Sequence, residues 1–481
     1  MLGIRVKSLL IIFLVSSLFL TRFINLNKSA TFLWDNTIDL VKIHQYFHDR
    51  KITMVGPISE DGNKVYGSLS YYMLMPFAIL GRFDPLSTTI GAAFWGTMAA
   101  LLLFLAARIL NKKISLWILI LVIIWFPLVE TSRWAWNPNL MIFWITLGVL
   151  LFQIKNKLAA PIAGFSMGLS IHNHYLAIVS VGIFLLMTFP LKTKRRETKE
   201  WLLLTAGVIL SLLPFVLFDL RHPPGLFLSR ALYFNQTQTS LDFMSFVSRS
   251  VGNLRVVLYY YTHSVWLMWI VGIAGTALLI CDVKRYKSAL IYFFPWFGQI
   301  VVIGFINNSY FHYFLPGLVF FVIWIAFPRA GIPKLLNQLV ILTLIIGSIT
   351  TILPQIKNNP YVDDWDKSWH PNIKTVKEIV NTIESTINER HLTQINLAVL
   401  GSQDANTVGL KYRNLLLIDG YSIKDKHSYF TSDNLFVISQ VSETILRRDP
   451  AAELNNFRNR QIEGNWSYDN NIWKLYLFNK N

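Results

Sequence analysis

Two aspartates four residues apart are the first groups in this chain with chemistry to offer. In FLWDNTIDL, Asp35 and Asp39 stand at i and i+4, so on a helix they share one face. Carboxylates placed this way can act as a general base, a metal clamp or both. The same spacing suits a plain helix start, with Asp35 as the cap and Asp39 solvated, and spacing alone leaves the two readings level. In GNKVYGSLSYYMLMPF, Lys64 can grip a phosphate, while Tyr66, Tyr71 and Tyr72 suit an interfacial belt. Arg133 in ETSRWAWNPN stands just before Trp134 and Trp136 and needs an anion, either a ligand or Glu130 three residues earlier. His172 and His174 in HNHY, and His312 in NNSYFHY, are too few for a metal site and suit turns with satisfied imidazoles. FDLRHPPG holds Asp219, Arg221 and His222, as a local Asp–Arg pair or as a sugar or phosphate contact.

The elements that must position these groups are membrane helices. The chain has 481 residues, 53% hydrophobic and 15% charged, against about 25% charged in soluble domains. That deficit excludes a disordered chain, a coiled coil or an ordinary cytosolic enzyme. Eleven apolar segments read as spans, near 8–26, 86–107, 114–130, 140–154, 158–172, 175–190, 201–218, 263–281, 288–306, 312–327 and 335–353. Basic residues gather in alternate connections, at Arg5 and Lys7, Arg108 to Lys113, Lys155 and Lys157, Lys192 to Lys199, Lys284 to Lys287, and Arg329 with Lys334. This bias places the N-terminus in the cytoplasm of a multi-pass cell-membrane protein. Residues 68–82 are apolar but short, and counting them as a span would invert every later loop, so they read as a helix in the outer interface. The first segment has the look of a signal peptide without a clear cleavage site and reads as an uncleaved anchor.

The net charge of +17 does not mark a nucleic-acid binder. Residues 354–481 carry 15 bases and 15 acids, so the excess lies beside the apolar segments. The single cysteine, Cys281, allows neither an intrachain disulfide nor a cysteine zinc site. Three parts lie outside on this topology: 27–85, 219–262 and the tail 354–481. In the tail, Ile373, Val376, Val380, Ile383 and Ile387 predict a helix over 373–390. Runs at 395–400, 414–418, 434–439 and 472–478 predict strands. The expected architecture is therefore an all-α polytopic membrane domain, 1–353, followed by a small extracytoplasmic α/β domain, 354–481. Span interiors hold almost no charge, which directs any chemistry to the outer interface, where a lipid headgroup meets a polar molecule.

WDNTID, GPISEDGNKVYGSLSYYMLMPF, LAARILNKK, SRWAWNPNL, GLSIHNHYLA, FDLRH and HYFLPGL occur together and in this order. In this the chain resembles the GT-C superfamily of integral-membrane glycosyltransferases, in the protein-O-mannosyltransferase-like and aminoarabinose-transferase-like branch (glycosyltransferase family 39-like), over about residues 1–320. The resemblance implies a polyprenyl-phosphate-linked sugar donor, an acceptor hydroxyl on a glycan, lipid or protein, and transfer at the extracytoplasmic face. It puts the catalytic carboxylate on Asp35; many members have Asp-Glu at this point, whereas this chain has Asp35-Asn36 and then Asp39, whose role stays open. The charge of the leaving phosphate calls for cations, and Lys64, Arg133 and Arg221 are the outer-face candidates. Substrate contacts fall on Tyr66, Asn137, His174, Tyr175, Asp219, His222 and His312. A divalent metal (Mg or Mn) held in part by Asp35 stays open, and the sequence shows no complete ligand set. The expected reaction is one inverting displacement, with polyprenyl phosphate leaving unaided by an acid. A transporter or flippase for a lipid-linked glycan is the alternative. It draws on Gly164, Gly168, Pro214, Pro295 and Gly298 inside spans but lacks mid-span ionisable pairs.

Overall fold

The computed structural model of the full chain describes residues 2–59, 64–154, 156, 158–189, 198–227, 242–306, 309–358, 371–401, 409–446, 451–457 and 460–480. In order come helix α1 (Leu2–Phe23), α2 (Trp34–His48), strands β1 (Val55–Ile58) and β2 (Val65–Gly67), then α3 (Leu69–Leu80), α4 (Pro85–Leu110), α5 (Ser115–Ile124), α6 (Phe126–Thr131), α7 (Asn137–Gln153), α8 (Ala159–Asn173), α9 (Ala177–Thr188) and α10 (Thr198–Arg221). There follow α11 (Phe243–Thr262), α12 (Val265–Arg285), α13 (Leu290–Ile303), α14 (Leu315–Ala326) and α15 (Ile332–Asn358). The tail adds α16 (Ile373–Arg390), β3 (Ile395–Leu400), α17 (Leu410–Ile418), β4 (Asn434–Ser439), β5 (Arg460–Tyr468) and β6 (Trp473–Lys480). Among the described residues α4, α10, α12 and the Ile332–Pro354 part of α15 are long and apolar enough to cross a membrane. Seven further apolar helices are shorter.

Two compact units form: Met1–Ile24 with Thr53–Leu74 and Gly91–Ile356, and Asn25–Ile52 with Met75–Ile90 and Lys357–Asn481. The first is helical and built around α14. LPGLVFFVIWIA has no charged side chain on any face, a pattern that suits burial in protein or lipid, and here all twelve residues are buried. Helices α8 and α10 approach closely through glycines. A Cβ at Gly164 would meet the Leu204 carbonyl at 1.8 Å, and one at Gly207 the Pro161 carbonyl at 2.1 Å. Gly164 thus serves helix packing rather than a hinge. The expected span 114–130 is broken at Trp125, which leaves helical geometry (ψ 117°) just before Pro127. Within the 219–262 segment, residues 243–262 form a helix whose N-cap Asp242 accepts from Ser245 N–H at 2.8 Å.

Buried charge in this unit is fully engaged at the α12–α15 ends. Asp282 and Arg329 form a bidentate pair, Nε–Oδ1 2.8 Å and Nη2–Oδ2 2.5 Å, both side chains at 0% exposure. Trp324 Nε1 donates to Asp282 Oδ2 at 2.8 Å, and Arg329 Nη1 donates to Asn337 Oδ1 at 2.9 Å. Three helices that the sequence leaves separate are thereby joined at one point.

The second unit carries a four-stranded sheet of order β3-β4-β6-β5. Strand β3 is parallel to β4, with Ile395 opposite Asn434, and the other pairs are antiparallel. Helix α16 buries Ile373, Val376, Ile379, Val380, Ile383 and Ile387 along one stripe. Residues 414–418, expected as a strand, are the last turns of α17. With Tyr412, Leu415 and Leu416 buried and Leu417 exposed, the period is helical rather than alternating. Helix α2 belongs to this unit and packs on α17, where Asn414 Nδ2 donates to Thr37 Oγ1 at 3.1 Å.

On α16, burial and the neighbouring Asp419 push the Glu384 carboxyl up to about 7. A raised carboxyl stays protonated in the folded chain while the unfolded one ionises. Stability is therefore lost as pH rises from about 4.5 towards 7. Glu384→Gln is expected to raise the unfolding temperature at pH 8 and leave it unchanged at pH 4, read by thermal unfolding at both values.

Candidate active site

Asp35 sits in the first turn of α2. Leu33 is the N-cap, its N–H donates to Asn36 Oδ1 at 2.8 Å, and Asp35 Oδ1 accepts from Asn36 N–H at 2.8 Å. The cap role is thus filled by Leu33 and Asn36. Asp35 is half-buried at the positive end of a helix, which favours the ionised carboxylate a base requires. Asp39, one turn on, is 9% exposed. Among the described residues no three His, Cys, Asp or Glu side chains come together as metal ligands.

In the helical unit, the turn between α8 and α9 brings several expected residues together. His174 Nδ1 accepts from Leu176 N–H at 3.3 Å, so a neutral ring carries its proton on Nε2 and donates it to the Tyr66 hydroxyl, 3.3 Å away. Burial, with the Lys64 ammonium nearby, pushes His174 down to about 3, so the ring stays neutral through the physiological range. Its ring lies 5.2 Å from that of His312. His312 is 9% exposed, and its Nδ1 is buried with no hydrogen-bond partner among the described residues. The Lys64 charge acts on both imidazoles.

Strand β2 holds Tyr66 in place by packing tightly on α8 and α10. A Cβ at Gly67 would meet His172 Nδ1 and the Phe215 ring at 2.9 Å, so only glycine fits. The Tyr175 hydroxyl donates to the Val65 carbonyl. Trp136, whose ring stacks on Trp134 at 4.2 Å and meets the His312 ring at 4.4 Å, and Tyr313, at 4.5 Å from His312, complete an aromatic wall. The sequence reading places neither in the site. The one signal for them is the Trp-x-Trp beside Asn137.

Other expected residues stand elsewhere. Arg133 is 2% exposed and donates to the Thr21, Arg22 and Ile24 carbonyls at 2.9–3.1 Å, at the C-terminal end of α1. Arg22 returns the arrangement, donating to the Val122 and Ile123 carbonyls near the end of α5 at 2.6 and 3.3 Å. Each cation thus meets the negative pole of a helix. Glu130, the other expected partner of Arg133, accepts from the Tyr260 hydroxyl. Asn137 donates to the Asn173 carbonyl at 2.6 Å and so fixes the turn that carries His174. His172 donates through Nε2 to the Ser211 carbonyl at 2.7 Å, the satisfied imidazole expected of it. Asp219 accepts from Leu226 and Phe227 N–H at 2.7 and 2.9 Å, closing the turn after α10. His222 Nδ1 donates to Phe218 O at 3.0 Å, and Arg221 is exposed.

No family model and no curated protein matches the sequence. Solved structures do match the fold along nearly its whole length. ArnT from Cupriavidus metallidurans in the apo state aligns with TM-score 0.59 at 10% identity, over 99% of this chain and 98% of that one. The same protein bound to undecaprenyl phosphate gives 0.60 at 11%, over 98% and 97%. The Archaeoglobus fulgidus oligosaccharyltransferase in complex with Zn and sulfate gives 0.52 at 14%, over 89% and 67%. The chain thus shares the fold of these solved structures.

Proposed function

We propose that the chain is a membrane glycosyltransferase that moves a sugar from a polyprenyl-phosphate donor to an acceptor hydroxyl. The observation that carries this reading is the end-to-end match to ArnT in its undecaprenyl phosphate complex, on a chain that has a lysine, a tyrosine and two neutral imidazoles clustered beside apolar helices. Lys64 binds the donor phosphate and offsets the charge that grows as the glycosidic bond breaks. Tyr66, held by His174, and the unpartnered Nδ1 of His312 offer hydrogen bonds to the donor's polar head. Asp35 accepts the acceptor's proton in a single inverting displacement, and polyprenyl phosphate departs as a stable anion. Arg133, committed to backbone carbonyls, holds the α1 end in place instead of binding phosphate. The reaction face is extracytoplasmic, with the N-terminus in the cytoplasm of the cell membrane.

Binding of undecaprenyl phosphate to the purified protein tests the donor part. Micromolar lipid is expected to raise the unfolding temperature of the parent. In Lys64→Gln the apparent Kd is expected to rise about tenfold, the loss of one charge-assisted contact. Equal affinity in parent and variant would remove Lys64 from the phosphate site.

A further inference from the structure

Helices α2 and α3 end in the same motif. After α2, Arg50 N–H bonds to the Phe47 carbonyl at 3.2 Å and Lys51 N–H to the Tyr46 carbonyl at 3.0 Å. After α3, Arg82 N–H bonds to the Ile79 carbonyl at 3.0 Å and Phe83 N–H to the Ala78 carbonyl at 2.7 Å. Both are Schellman turns, and the residue in the left-handed position is an arginine each time, Arg50 at φ 51° and Arg82 at φ 54°. Phe83 is left-handed as well, at φ 61°. Glycine is the ordinary occupant of that position because it carries no Cβ penalty. Bulky side chains kept there against the backbone preference point to work done by the side chains themselves.

The two turns are neighbours. The Phe83 ring lies 4.7 Å from that of His44, 5.8 Å from Phe47 and 6.1 Å from His48. Both arginines are exposed, and among the described residues neither has an acidic partner. Lys51 pairs with Asp49 at 2.9 Å, and Asp84 is taken by Lys377. Around this unbalanced positive charge stand exposed apolar groups: Phe47 at 42%, Leu80 at 84% and Ile52 at 90%. The corner leads directly into α4, a helix long and apolar enough to cross a membrane, which starts at Pro85. Exposed apolar tips for the acyl boundary and free guanidinium groups for phosphate, at the mouth of a span, match a lipid headgroup in both halves.

We infer that the corner made by Arg50, Arg82, Phe47 and Leu80 is a binding surface for the headgroup of an anionic phospholipid of the bilayer. It requires α4 to be a membrane span and is independent of the transferase reading, since no sugar donor takes part.

The full chain in neutral detergent would be titrated with dioleoyl phosphatidylglycerol and, separately, dioleoyl phosphatidylcholine, reading retained lipid by native mass spectrometry and unfolding temperature in parallel. The parent is expected to retain phosphatidylglycerol at least fivefold more tightly than phosphatidylcholine. Arg50→Gly with Arg82→Gly relaxes both turns, so the lipid-free unfolding temperature should rise while the phosphatidylglycerol preference disappears. Arg50→Gln with Arg82→Gln should lose the preference without the rise, and the paired lysine variant should keep most of it. An unchanged preference in the glycine and glutamine variants would overturn the inference and leave the arginines as helix-end cations only. A parent with no preference between the lipids would overturn it as well.

Discussion

Asp35→Asn is expected to transfer sugar about 10²–10⁴-fold more slowly than the parent, the range that a positioned general base supplies. The substitution is nearly isosteric, and the half-buried side chain can still accept from Asn36 N–H through its amide oxygen, as the carboxylate does at 2.8 Å. The α2 start should therefore survive, with its Asn36–Leu33 cap intact. What is lost is a carboxylate in the first turn of a helix, where the dipole favours negative charge. The loss should fall on kcat, with donor affinity unchanged, because the donor phosphate is proposed to bind at Lys64. Rates from labelled polyprenyl-phosphate sugar in membranes of matched protein content check this. A variant within about twofold of the parent would take the base away from Asp35.

Asp282→Ala is expected to destabilise the chain by about 3–5 kcal/mol, the usual result of removing one partner of a buried ion pair. The cost arises from what stays behind. The Arg329 guanidinium would keep the Trp324 carbonyl and Asn337 Oδ1 but lose both carboxylate oxygens, at a site with no exposure. Trp324 Nε1 would lose its acceptor too. Arg329→Met should cost a similar amount, because it strands the carboxylate. The combination of Asp282→Leu with Arg329→Met should cost less than either single change, since no uncompensated charge is left. Thermal unfolding of the purified variants in one detergent measures all three. Single variants within about half a kcal/mol of the parent would contradict the account of this junction.

The sequence discloses those parts of the fold that short-range pattern determines. Apolar runs mark the helices of the membrane part, and the 3.6-residue spacing of Ile373 to Ile387 marks α16. Pattern fails where the deciding partner is distant. NLLLI reads as a strand until Tyr412 is included and the helical period appears. Strand β5, RQIEGNWSY, is polar because it lies at the sheet edge, paired with β6 alone. Asp282 and Arg329 are 47 residues apart, and nothing local announces their pairing.

The same distinction runs through the candidate site. Lys64, Tyr66, His174 and His312 stand out in sequence as polar residues next to apolar runs, and the fold brings Tyr66, His174 and His312 together. Arg133 carries the same signal for a different reason. An arginine that caps α1 from over a hundred residues away looks, in sequence, like an arginine awaiting a phosphate. The Trp-x-Trp marks Trp136 only weakly, because its partner ring, His312, is distant in sequence and close only in the fold.

Above all, we propose that this chain breaks the bond between a sugar and polyprenyl phosphate. Its most direct test is to reconstitute the purified protein in liposomes with a polyprenyl-phosphate sugar labelled in the sugar, add extracted membrane acceptors, and separate the products. The account predicts free polyprenyl phosphate and label on an acceptor fraction, both absent with Asp35→Asn. Donor that crosses the bilayer with its sugar still attached would contradict it and identify a flippase.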